Sequence, residues 1–93
     1  MGSARSRNID AALRKKGFRR EMDGKHVRYF LTNGEQVRTM MSHGDSGTSI
    51  GAPLISAMSR QLHLSKRQFL DLIDCTLSEE AYRTVLREQG LAV

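Results

Sequence analysis

Two turn signals, Asp23-Gly24 and Asn33-Gly34, bracket a run that alternates in polarity, KHVRYFLT, and further short alternating runs lie on either side. A period of two sends successive side chains to opposite faces of a strand, and a Gly-containing turn between two such runs closes an antiparallel hairpin. Residues 18–41 are thereby constrained to a three-stranded meander, with strands predicted over residues 18–22, 25–31 and 36–41.

The turns also predict which side chains meet. Taken as a two-residue type I′ turn, Asp23-Gly24 sets Met22 opposite Lys25, Glu21 opposite His26, Arg19 opposite Arg28 and Phe18 opposite Tyr29. For the second hairpin, a two-residue Asn33-Gly34 turn mixes polar and apolar side chains on both faces. A three-residue loop over 32–34, with Gly34 left-handed in a bulge, sets Tyr29 opposite Val37 and keeps one face apolar, so it is preferred. These registers place Arg19, Arg28 and Arg38 in one row on the polar face and Glu21, His26 and Met40 in the next, roughly 6–7 Å away. Like charges facing one another across strands cost up to roughly 1 kcal/mol a pair. Three arginines abreast mark either a face for an anion, with Phe30 as a platform for stacking a base, or a solvated face that protects the sheet from aggregation.

Helical patterns flank the meander. Asn8 is placed to cap a helix carrying Ile9, Ala12, Leu13 and Lys16 on one stripe, with Gly17 as its stop. After a polar loop, SHGDSGTS, the apolar residues Ile50, Leu54, Ile55, Met58 and Leu62 recur at helical spacing, and Pro53 is tolerated in the first turn. Ser65 and Gln68 form a capping box for a helix with Phe69, Leu70, Leu72 and Ile73. Ser78 caps a last helix through Tyr82, Val85 and Leu86, ended by Gly90. The expected fold class is α+β, an α-β-β-β-α unit with an antiparallel three-stranded sheet plus two additional C-terminal helices. Residues 1–7 read as a flexible N-terminus, 8–64 as the core unit and 65–93 as a helical extension packed on the same domain. That extension either enlarges the core or makes a homodimer or partner surface; core enlargement is favoured because its apolar residues are too many to leave bare.

Composition narrows the chemistry. Residues 1–47 hold ten Lys/Arg against five Asp/Glu, while residues 48–93 hold five against five, so the net charge of +5 belongs to the first half. A polyanion is the expected partner of that half. No apolar stretch reaches the roughly 20 residues that cross a bilayer, so a soluble cytoplasmic protein without membrane contact is expected. The single cysteine, Cys75, excludes an internal disulfide and, within the apolar run LIDC, is expected to be buried. His26, His43 and His63 lack metal-ligand spacing, and no cofactor is expected. Lys25 is either a phosphate contact or a solvated turn residue, and Lys15 and Lys16 with Arg20 either hold a phosphate backbone or, for the two lysines, simply complement a helix end.

The order KKGF, then Gly24-Lys25-His26 with Tyr29 and Phe30 behind it, then Ser42-His43 and Gly51-Ala52-Pro53-Leu54, resembles the HicA (YcfA-like) toxins of bacterial toxin–antitoxin modules between Ile9 and about Ser65. The resemblance implies a double-stranded-RNA-binding-like fold, metal-independent endoribonuclease activity on mRNA in the cytoplasm, a role in stress response, and neutralisation by a HicB-like antitoxin. It also implies that His26 is the essential histidine. Val27 stands where the family often has a second histidine, and the two C-terminal helices exceed the minimal toxin. On this reading His26 is a general acid/base, with Glu21, Arg28 and His43 as possible support, and Lys25, Arg19, Arg38, Lys15, Lys16, Arg20 and Phe30 as RNA contacts. The alternative is a non-catalytic nucleic-acid-binding module of the same fold.

Overall fold

The computed structural model describes residues 4–42 and 49–93 of the chain. In order its elements are β1 (Ala4–Arg5), α1 (Ser6–Lys15), β2 (Phe18–Asp23), β3 (His26–Leu31), β4 (Gly34–Ser42), β5 (Ser49–Ile50), α2 (Ala52–Gln61), α3 (Lys66–Ile73) and α4 (Glu79–Glu88). Strands β2, β3 and β4 form an open antiparallel sheet in that order, and β1 pairs with β5 in a separate two-stranded ladder. The fold is α+β, and apart from the short strands β1 and β5 the helix–three strands–helix order runs as expected. No helix among the described residues is long and apolar enough to cross a membrane.

Burial explains the layering. Along β3 the side chains of Val27, Tyr29 and Leu31 are buried while those between them are not, and Phe18, Val37 and Met41 join them on the same face. The helices cover this face: Ile9 and Leu13 of α1, Ile55 and Met58 of α2, Phe69 and Leu72 of α3, and Tyr82 and Leu86 of α4 belong to one core. Each such side chain contributes about 1.5–3 kcal/mol by leaving water. The Phe18 and Tyr82 rings stack with centroids 6.1 Å apart, so α4 is part of the domain's own interior.

Local chemistry sets the element ends. Ser65 and Gln68 form the expected reciprocal capping box, with Gln68 N–H donating to Ser65 Oγ at 3.1 Å and Ser65 N–H to Gln68 Oε1 at 2.9 Å. Ser78 caps α4 by accepting from Ala81 N–H. At the start of α1 the sequence expectation fails. The helix begins at Ser6 with extended Arg5 as its N-cap and no side-chain cap, so Asn8 lies inside the first turn. Residues 4–7 are likewise structured, because the β1–β5 ladder holds the chain there. Cys75 is exposed, since α3 stops at Ile73 and Cys75 turns the chain at φ 66.

Two polar junctions lock the layers together. The Tyr29 hydroxyl donates to Asp10 Oδ1 at 2.5 Å, and Arg20 Nε and Arg14 Nη1 each lie 3.2 Å from the same carboxylate, tying α1 to β2 and β3. At the other corner, Thr32 N–H donates to the Gly17 carbonyl at 3.0 Å, while Arg83 bonds Thr32 O and Glu79 Oε2, each at 3.0 Å. Gly17 ends α1 at φ +93, and a Cβ there would sit 2.6 Å from Glu79 Oε2.

Gly17→Ala therefore combines a left-handed backbone with a clash, and a loss of about 1–3 kcal/mol is expected in urea unfolding. Gly90→Ala, with comparable φ and open space around it, is expected to cost less. Burial, together with the Asp10 carboxylate at Tyr29, pushes the pKa of the Tyr29 hydroxyl above the ordinary tyrosine value, and burial does the same for Tyr82. The folded state thus keeps protons that the unfolded chain releases near pH 10. Stability is expected to hold below about pH 10 and to fall as pH rises above it. Urea midpoints measured from pH 8 to 11 should show a shallower alkaline decline in Tyr82→Phe.

Candidate nucleic-acid interface

Among the described residues no helix covers the second face of the sheet. Its side chains are those that alternate with the core: Arg19, Glu21 and Asp23 on β2, His26, Arg28 and Phe30 on β3, and Arg38 and Met40 on β4. All are exposed except Phe30 and Met40, which are half-buried.

The observed register differs from the expected one by two residues in both hairpins. Gly24 and Lys25, not Asp23 and Gly24, form the first turn, and Asp23 pairs with His26. Gly24 has φ +61 while Lys25 is not among the positive-φ residues, which excludes type I′ and fits a type II′ turn with Gly first. In the second hairpin Leu31 pairs with Gly34 around Thr32-Asn33, and an irregularity follows between Phe30 and Leu31. Asn33, not Gly34, takes the left-handed conformation, at φ 66. Gly34 is needed for space instead, because a Cβ there would lie 2.5 Å from Val93 Cγ1.

A shift of two keeps every side chain on its face and changes all its neighbours. The row of three arginines does not form. Phe30 stands between Arg19 and Arg38, Arg28 between Glu21 and Met40, and His26 between Asp23 and Ser42. This arrangement relieves the like-charge conflict. The Arg19 guanidinium lies 5.1 Å from the Phe30 ring centroid, a cation–π contact, and 3.1 Å from Glu21. Arg28 reaches Asp23 at 2.7 Å. Side chains in both ion pairs are about half exposed, so each pair contributes roughly 0.2–1 kcal/mol and yields readily to a competing anion. Arg38 and Lys25 have no carboxylate partner among the described residues.

His26 is exposed at the start of β3, and its side chain makes no hydrogen bond or ion pair among the described residues. Glu21 does not face it, contrary to expectation. Asp23 takes that position, a residue missed because it was assigned to the turn; the signal for it was Gly24-Lys25 read as a Gly-first turn. His43 lies outside the described residues. Of the remaining cations, Lys16 is only 6% exposed on the core stripe of α1, and Arg20 points to the helical side, where it binds Asp10. Lys15 is exposed, but on α1 behind the sheet. The cations of the open face are therefore Arg19, Arg28 and Arg38 with Lys25 at its turn, and Lys15, Lys16 and Arg20 do not join them.

Where β4 forms the free edge, the open face deepens into a recess of about 340 Å³ lined by Arg28, Phe30, Arg38, Thr39, Met40 and Gln61. Thr39 Oγ1 donates to Gln61 Oε1 at 2.6 Å, which joins the end of α2 to the strand. Among the described residues no group of three or more His, Cys, Asp or Glu side chains is placed to hold a metal ion. Comparisons with protein-family models, curated proteins and solved structures give no match for this chain.

Asp23→Asn and Glu21→Gln should each free one arginine of this face. Binding to a single-stranded polyanion is expected to tighten at low salt, with the slope of log K against log [salt] steeper by about 0.7 for each cation recruited. Fluorescence anisotropy over a salt series checks both changes.

Proposed function

We propose that this chain is a HicA-type toxin with a double-stranded-RNA-binding-like fold, a cytoplasmic, metal-independent mRNA endoribonuclease held in check by a HicB-like antitoxin. The observation that carries the reading is the uncovered sheet face on which His26, Arg28 and Phe30 follow one another along β3 with Arg19 and Arg38 on either side of the phenyl ring. A general acid/base, guanidinium groups for phosphate and an aromatic platform are the parts such a reaction needs. The α-β-β-β-α order adds support.

In the proposed reaction neutral His26 removes the proton of a ribose 2′-hydroxyl. The 2′-oxygen bonds to the neighbouring phosphorus, the bond from phosphorus to the 5′-oxygen breaks, and the leaving oxygen takes a proton from the imidazolium or from water. The products are a 2′,3′-cyclic phosphate and a 5′-hydroxyl. Histidine suits both proton transfers because its unperturbed pKa of about 6.5 keeps acid and base forms accessible near neutrality. Arg28, two residues along the same face, is the guanidinium nearest in register to His26 and supplies positive charge for the pentacoordinate phosphate once RNA displaces Asp23. Asp23, directly across from His26, is the carboxylate available to orient the ring after that displacement.

A second reading, a non-catalytic RNA-binding module, is favoured by one observation: no hydrogen bond fixes the His26 ring. Cleavage of RNA in EDTA by wild type and by His26→Ala separates the two. The nuclease reading predicts a loss of roughly 10²–10⁴-fold in cleavage with RNA binding retained. RNA binding without cleavage by either protein would overturn it.

A further inference from the structure

The recess at the β4 edge has no part in the proton transfers proposed for His26, and its composition is specific. Phe30 and Met40 are its apolar elements, Arg28 and Arg38 its cations, and the Gln61 amide its neutral polar group. The amide is oriented. Its oxygen accepts the hydroxyl of Thr39, a residue only 4% exposed, which leaves the NH₂ of exposed Gln61 without an acceptor among the described residues. Arg38 is also without a carboxylate, whereas Arg28 is tied to Asp23. A volume of about 340 Å³ lies at the small end of the range for ligand pockets, large enough for one flat ring system and its substituents.

An apolar aromatic wall, a fixed amide donor and an unpaired guanidinium together match a base, an acceptor on its edge and a phosphate. We infer that this recess is a nucleotide subsite: it seats one nucleotide of a single RNA strand, with the base against Phe30 and Met40, a base carbonyl or ring nitrogen accepting from Gln61 Nε2, and a phosphate on Arg38. The inference rests on the reading of the open face as an RNA surface and adds to it a site of base selection. Arg28 borders both the recess and the region of His26, so the seated nucleotide lies beside the bond to be cut. Bases that present an acceptor to Gln61 are preferred over those that present only donors there.

Titration of the full-length protein with each of the four ribonucleoside 5′-monophosphates and with inorganic phosphate, followed by amide NMR shifts, tests this directly. Expected are saturable shifts centred on Phe30, Arg38, Met40 and Gln61, with the best mononucleotide binding roughly tenfold tighter than phosphate. Gln61→Met, which removes the amide from an exposed position, should erase the preference among bases while leaving phosphate binding unchanged. Arg38→Met should weaken phosphate and mononucleotides alike. Equal affinity for phosphate and all four mononucleotides, shifts centred elsewhere, or a base preference that survives Gln61→Met would each overturn the inference. Mononucleotides seated in the recess of a protein that cuts no RNA would sink the nuclease reading and keep the subsite; cleavage without recess binding would do the reverse.

Discussion

The two turns, at Gly24-Lys25 and at Thr32-Asn33, decide who faces whom on the sheet. A strand's side chains alternate strictly, so pairing can slip by two residues without moving any side chain to the other face. Two such slips, one in each hairpin, separate a row of three mutually repelling arginines from the observed row, in which Phe30 stands between Arg19 and Arg38. With Gly24 first in the turn, Glu21 and Asp23 come into register with Arg28 and His26, and Arg19 and Arg28 find carboxylates on the same face, Glu21 and Asp23 respectively. The open face then holds itself together by weak, exposed pairs instead of by burial. Its charge is thereby partly masked.

The covered face is held by stronger means. Tyr29 fills the centre of the sheet and directs its hydroxyl to Asp10, and that one carboxylate also gathers Arg14 and Arg20. Arg20 is thereby withdrawn from any role on the open face, and Lys16 is withdrawn by packing on the α1 stripe. The helices α3 and α4 complete the same core through Phe69, Leu72, Tyr82 and Leu86, all fully buried within one chain. A three-stranded sheet with two helices offers little interior, and these helices supply what it lacks.

Which residues lie on which face was legible in the sequence, because it depends only on the alternation of Val27, Tyr29 and Leu31 with His26, Arg28 and Phe30. Cross-strand neighbours were not, because Asp23-Gly24 and Gly24-Lys25 are both acceptable turns and differ by one step on each strand. Helix caps with reciprocal side-chain bonds, Ser65 with Gln68 above all, were readable from spacing. The start of α1 was not, since it is set by a ladder between residues 4–5 and 49–50, which no local pattern announces. For the same reason Gln61 went unremarked, since it acquires its place from a distant pairing with Thr39, whereas Asp23 was missed because it was assigned to the turn instead of to the position across from His26.

The central claim is that the helix-free face of the sheet is where RNA lies. Amide shift mapping with a short single-stranded RNA carrying 2′-O-methyl groups, which block attack by the 2′-oxygen, addresses it most directly. Perturbations are predicted to run across Arg19, Lys25, His26, Arg28, Phe30 and Arg38, leaving α1, α3 and α4 unmoved. Binding that maps onto α1, α3 and α4 instead, or no binding at low salt, would contradict the claim.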